Sequence, residues 1–199
     1  MPDLDIEGKL TLSFPRGWKA IKFDDQAWYR DDIKSQVKAV DVVAVRGTTC
    51  WWIEVKDCAG YEAENMPRLT QADPPAVSKT REWIKKQALD KQVQVRRYKP
   101  FIVDELFEKF MGTMVCTAVA QRSCISSKNA ADIKPYMVAM SDKVALNFVL
   151  LLTWGGADFK RLAKLLKSKM DQRMSAMNVS CFVVGENEQA SGQPWRVCR

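Results

Sequence analysis

Histidine is absent from this 199-residue chain. That absence excludes Ser-His-Asp and Cys-His nucleophilic catalysis, histidine-ligated zinc and a histidine general base. Acid–base or metal chemistry must then use Asp, Glu, Lys, Tyr or Cys. The six cysteines (Cys50, Cys58, Cys116, Cys124, Cys181 and Cys198) include no C-x-x-C pair. This argues against a zinc knuckle, and the spacing does not favour an iron–sulfur cluster. They read as scattered, mostly buried thiols of a reducing compartment. Long apolar runs are lacking too. The longest, over 144–154, is too short to span a bilayer and contains Asn147. The opening MPDLDIEGKL has no apolar stretch of the kind a signal peptide needs. A cytoplasmic protein without membrane contact is expected. Internal repeats and low-complexity segments are also missing.

What is present suits one domain with a sizeable core: 47% of the residues are hydrophobic. The formal net charge of +7 favours a polyanionic partner, nucleic acid first. Alternation predicts strands over 10–14 and 18–23, joined as a hairpin around Pro15-Arg16-Gly17. Residues 24–38 read as a loop or short helix, and 40–46 and 50–56 as strands. Gly60, Pro67, Pro74 and Pro75 mark 58–76 as a long mobile loop insertion. Helices are predicted over 77–89 and 101–121. The second has an apolar stripe of Ile102, Val103, Leu106, Phe107, Phe110, Met114 and Val115. Its polar face carries Asp104, Glu105, Glu108 and Lys109. Residues 122–142 show no period, contain Pro135 and read as a loop. The run over 143–154 reads as a strand buried on both faces. Gly155-Gly156 ends it, and Asp158 opens a helix to about 177. A last strand covers 179–184, and 185–199 reads as a loose polar tail. The fold expected is α/β, a mixed central sheet with helices on both sides.

Inside the apolar stretch VDVVAVRGTTCWWIEVKD, residues 40–57, stand Asp41, Glu54 and Lys56. A two-residue turn at Gly47-Thr48 sets Val45 opposite Cys50, Val43 opposite Trp52 and Asp41 opposite Glu54. Alternation then divides the hairpin. Val40, Val42, Ala44, Trp51, Ile53 and Val55 form an apolar core face. The other face collects Asp41, Val43, Val45, Cys50, Trp52, Glu54 and Lys56. Directly opposed residues have Cβ atoms about 4.5–5.5 Å apart. Two carboxylates that close need a cation, and a divalent metal with oxygen ligands is the natural one. Lys56, on the same face, can neutralise the pair or stand beside a metal-bound water, and Trp52 can wall the site. The plainer alternative is a surface hairpin with solvated charges.

Asp41, twelve intervening residues and then Glu54-Val55-Lys56 resemble the PD-(D/E)XK, or restriction-endonuclease-like, nuclease superfamily. There the first acid lies on one strand and the E-x-K on the next. The resemblance implies an αβββαβ core with insertions, here one nuclease-like domain over 1–184. It implies phosphodiester hydrolysis dependent on Mg²⁺ or Mn²⁺, with DNA as the expected substrate. Asp41 and Glu54 would hold the metal, and Lys56 would orient or help deprotonate the attacking water. Val40 stands where the motif name has Pro. For the additional acid that many members draw from an early helix, the candidates are Glu7, Asp24 and Asp25. The alternative is a catalytically silent nuclease-like subunit that binds nucleic acid or serves assembly, with a homodimer or protein partner conceivable in either case. The basic residues Lys79, Arg81, Lys85, Lys86, Arg96, Arg97 and Lys99, and then Lys160, Arg161 and Lys164, are candidates for tracking a phosphate backbone. Tyr61, Trp83 and Tyr98 could stack on bases.

Overall fold

A computed structural model describes residues 3–6, 10–123 and 133–199. The hairpin over 42–57 lies at the middle of a five-stranded sheet. Its strands are β3 (Lys19–Lys22), β4 (Val42–Arg46), β5 (Thr49–Asp57), β6 (Ala145–Thr153) and β7 (Ser180–Val184), in that order. The first three run antiparallel, whereas β5, β6 and β7 are parallel. The parallel pairs require crossovers. They are supplied by α3 (Ile102–Ser123) and α4 (Phe159–Arg173), which follow α1 (Glu62–Leu69) and α2 (Pro75–Lys86). A smaller antiparallel sheet joins β1 (Asp3–Asp5), β2 (Thr11–Ser13) and β8 (Arg196–Cys198), with β2 in the centre. The class is therefore α/β, with a mixed sheet and flanking helices. Among the described residues, no helix is long and apolar enough to cross a membrane.

The turn sets the hairpin as its residues require. Val45 pairs with Cys50, Val43 with Trp52 and Val42 with Ile53. Gly47 has φ +57° and Thr48 does not enter the left-handed region, which suits a Gly-first two-residue loop. The run over 143–154 forms β6, an interior strand flanked by β5 and β7, and Val149 through Thr153 are all buried, as its continuous apolar sequence predicts; the central place in the sheet belongs to β5.

Both faces of the main sheet are core. On one, Val42, Ala44, Trp51, Ile53 and Val55 pack against Leu10, Leu12, Phe14 and Trp195 of the small sheet and its approach. On the other, Val43, Cys50, Trp52, Phe148 and Leu150 pack against Ile102, Leu106 and Phe110 of α3 and Leu166 and Met170 of α4. The expected single apolar face is thus corrected. The face carrying the charges is buried just as deeply, because α3 lies across it. Val40 also changes sides and joins the α3 cluster, since the chain bends at Asp41 before β4 begins.

Four further expectations change. Helices do not cover both faces of the sheet; the small β-sheet takes the second. The strands at 10–14 and 18–23 do not form a hairpin, because β2 pairs with β1 and β8 while β3 pairs with β4. The loop insertion at 58–76 contains α1 and the start of α2. Pro75 takes the first position of α2, where a missing N–H costs nothing. Pro67 sits inside α1, whose last carbonyls are taken up by Arg97, bonded to Pro67 O and, at 3.0 Å, to Thr70 O. The tail over 185–199 is anchored by Trp195, which is fully buried against Trp51 at 4.9 Å and Phe14 at 6.0 Å. Of the cysteines, Cys50, Cys58, Cys116 and Cys181 are buried free thiols and Cys198 is exposed. Cys124 lies outside the described residues.

Candidate functional site

Asp41 ends the approach to β4 and Glu54 lies on the facing strand, one pair beyond Val42–Ile53. Backbone contacts hold Asp41 firmly. Its Oδ2 accepts the Val55 N–H at 2.6 Å, its carbonyl accepts the Phe23 N–H at 2.7 Å, and the neighbouring Val40 N–H donates to Thr113 Oγ1 at 3.0 Å. Thr113 belongs to α3 and donates in turn to the Lys109 carbonyl at 2.8 Å. The close approach of α3 depends on Gly112, where a Cβ would overlap the Lys38 carbonyl oxygen.

These supports bring Lys109 into the site. Its Nζ lies 3.1 Å from Asp41 Oδ1 and 2.6 Å from Glu54 Oε1. Lys56 reaches the same Glu54 Oε1 at 2.5 Å and Glu105 Oε1 at 3.1 Å, and Arg68 of α1 pairs with Glu105 Oε2. The result is an unbroken line of alternating charge: Arg68, Glu105, Lys56, Glu54, Lys109, Asp41. Glu54 is completely buried, and the Lys56 and Lys109 side chains are only 12% and 16% exposed, so solvent has little access to the site.

The electrostatics follow from that burial. Desolvation, with Asp41 beside it, pushes the Glu54 carboxyl up to about 7 despite two ammonium neighbours. Burial acts to lower Lys56, but Glu54 and Glu105 outweigh it and raise its pKa above the ordinary lysine value. Lys109 is raised in the same way by Glu54 and Asp41. Burial opposes ionisation of Glu105, yet Lys56 and Arg68 hold it below the usual carboxylate range.

Asp41, Glu54 and Lys56, read from the sequence as one constellation, do come together. Trp52 does not wall the opening. It is fully buried, 5.1 Å from Phe110. Among the candidates for an additional acid, Asp25 is turned to Lys22 at 2.8 Å, and Glu7 lies outside the described residues. Asp24 adjoins Phe23, which is bonded to Asp41, and its buried Oδ1 has no hydrogen-bond partner among the described residues. Burial, then the charges of Asp41 and Asp25, push its carboxyl up to about 6. Among the described residues, no three His, Cys, Asp or Glu side chains converge on one metal position. The donors that fit a metal are Asp41 Oδ1 and the two oxygens of Glu54. Of these, Glu54 Oε2 is buried with no partner among the described residues, an acceptor left open toward a cation.

The expected phosphate-contacting residues divide. Lys79, Lys85, Lys86 and Arg96 are exposed. Arg81, Arg97 and Lys99 are committed within the chain. Arg81 binds Asp73 and the Val95 carbonyl, Arg97 caps α1, and Lys99 binds Glu64 O at 3.2 Å and Asn65 Oδ1 at 3.4 Å. Lys160, Arg161 and Lys164 are exposed on the first half of α4, with Arg161 3.5 Å from Asp158. A cleft of about 870 Å³, lined by Lys38, Arg81, Arg96, Arg97 and Glu108 among others, lies apart from Asp41, Glu54 and Lys56.

Sequence reasoning missed Lys109, Glu105 and Arg68 as members of the site. A signal existed. Glu105 and Lys109 are four apart and flank Leu106 and Phe110 of the apolar stripe, so they sit at the edge of the buried face. Asp104 and Glu108, placed with them on one polar face, point outward with side chains 60% and 57% exposed. Compared with family models, curated proteins and solved structures, the chain matches none.

Proposed function

We propose that the chain is a metal-dependent nuclease of the PD-(D/E)XK kind that hydrolyses phosphodiester bonds of nucleic acid, DNA in the first place. One observation carries the reading: Asp41, immediately before β4, and Glu54, on the facing β5, converge on a single cation position, with Lys56 two residues beyond Glu54 on the same face. Support also comes from the run of β3, β4 and β5 as an antiparallel meander, followed by the α3 crossover to parallel β6. That order parallels the βββαβ portion of the core such nucleases share.

Mg²⁺ or Mn²⁺, held by Asp41 Oδ1 and the Glu54 carboxylate, would supply Lewis-acid polarisation of the phosphate and a water of lowered pKa. The chain's own groups do the rest. Strand β5 fixes Glu54, and the Val55 N–H of the same strand orients Asp41 at the entry to β4. In the metal-free chain Glu54 and Glu105 hold the Lys56 pKa up. As an ammonium, Lys56 would orient the attacking water by hydrogen bonding and place a positive charge beside the phosphate. The exposed lysines of α2 and the exposed Tyr61, Trp83 and Tyr98 offer charge and stacking surface to the polymer.

A second reading, a non-cutting nuclease-like subunit, is favoured by Lys109, an ammonium already seated between the two acids. The deciding experiment is cleavage of plasmid, linear duplex, single-stranded DNA and RNA with Mg²⁺ or Mn²⁺, comparing wild type with Lys56→Ala and Glu54→Gln. Metal-dependent cutting by wild type, lost in both variants, is the expected result. Wild type that retains nucleic acid in a gel-shift assay but does not cut supports the second reading.

A further inference from the structure

Lys56 and Lys109 both touch Glu54 Oε1, but their second partners differ. Lys56 keeps Glu105, which Arg68 secures from α1. The second partner of Lys109 is Asp41, so both its partners are the carboxylates that a metal would need. We propose that Lys109 is an exchangeable counter-ion of this site. Its ammonium holds Asp41 and Glu54 together in the metal-free chain, and a divalent cation enters by displacing it. This rests on the metal-site reading above and adds to it a residue that governs when the site is loaded.

Three features support exchange over a permanent plug. An ammonium leaves Glu54 Oε2 with no hydrogen-bond partner among the described residues, in a fully buried position. A divalent ion, taking six or more oxygens, would use it. Next, Lys109 has a route out. Its side chain is 16% exposed, and the preceding residue on α3, Glu108, is turned to solvent, so a flexible four-carbon stem need only extend along the helix surface on that side. Finally, the charge changes in a useful direction. With all six groups ionised, Arg68, Lys56 and Lys109 balance Glu105, Glu54 and Asp41 in the metal-free site. Addition of a divalent ion leaves a surplus of two positive charges, which suits a phosphodiester and the hydroxide that attacks it. The released ammonium then stands at the mouth of the site as a phosphate contact.

The test is Mn²⁺ binding by calorimetry to wild type, Lys109→Met and Lys109→Gln, each first checked for a cooperative melt. In parallel, acetylation of individual lysines is mapped by mass spectrometry with and without Mn²⁺. A tethered competitor lowers apparent affinity by the fraction of time it vacates the site. The uncharged variants are therefore expected to bind Mn²⁺ about tenfold tighter or more. In wild type, Mn²⁺ should speed acetylation of Lys109 and leave Lys56 unchanged. Equal affinities with unchanged Lys109 labelling overturn the exchange and leave the metal site standing. Binding by the variants alone also overturns it, making Lys109 a fixed substitute for the metal. No binding by any of the three proteins overturns both the exchange and the metal site.

Discussion

A buried carboxylate oxygen with no donor among the described residues is the informative feature here, and Asp24 Oδ1 is the example besides Glu54 Oε2. Its Oδ1 is buried without a partner among the described residues, and its carboxyl is pushed up to about 6 by burial and by Asp41 and Asp25. A carboxyl whose native pKa exceeds its ordinary 3.8 binds its proton more tightly in the folded chain. The folded state is therefore most favoured below pH 3.8, and this contribution is lost as the pH rises through 6. Asp24→Asn should stabilise the protein at pH 8 by up to about 1 kcal/mol, after allowance for solvent screening at a partly open position. Relative to wild type, the gain should fade toward pH 4. Thermal melts of both proteins across that range provide the check. A gain independent of pH would mean that charge at Asp24 is not the cause. The Asp41–Glu54–Lys56 set was legible at this scale because hairpin register brings Asp41, one residue before the paired strand, toward Glu54. Asp24 was legible only as one of three acids, since nothing local says which one approaches Asp41.

At the scale of the element, α3 determines what the hairpin face becomes. Ile102, Leu106 and Phe110 cover the sheet, Thr113 bonds Val40 N, and Gly112 lets the helix backbone meet Lys38. In an exposed helix, Gly→Ala stabilises by about 1 kcal/mol. Gly112→Ala should reverse that sign, because its Cβ would strike backbone that cannot rotate away. The expected net loss is on the order of 1–3 kcal/mol, read from urea denaturation. A neutral or stabilising result would show that α3 and the Lys38 segment can separate freely. The length and apolar stripe of this helix were readable from periodicity. Its rotation against the sheet was not. The same polar side sent Asp104 and Glu108 to solvent and turned Glu105 and Lys109 inward. Prolines obscured α1, since a helix that contains Pro67 depends on partners such as Arg97, distant in sequence.

Across the whole molecule, the small sheet closes the face of the main sheet that the helices leave open, and Trp195 is its principal plug. Trp195 is fully buried between Trp51 and Phe14, while Arg199 reaches Glu186 at 2.6 Å and Asp57 at 3.4 Å. Trp195→Ala should cost about 3–5 kcal/mol, as large aromatic deletions from a packed core do. It should also lower the urea midpoint for the entire chain in one transition. A separate early transition confined to the small sheet would show that it is not part of the same cooperative unit. One tryptophan in a polar tail gave little warning of this role, because its partners lie at the other end of the chain.

Short-range physics therefore set much of this protein within the sequence itself. The Gly47-Thr48 turn and a period of two placed Asp41, Glu54 and Lys56 on one face. The period of 3.6 marked α3, and an unbroken apolar run marked β6 as an interior strand buried on both faces. Tertiary structure alone decided which cation stands between the acids, since Lys109 lies 68 residues from Asp41. It also decided which basic residues stay free, because Arg81, Arg97 and Lys99 find partners across the chain. Alternation and helical period arise from neighbouring residues and can be read locally. The facing of a helix and the choice of an ion-pair partner depend on how distant surfaces pack.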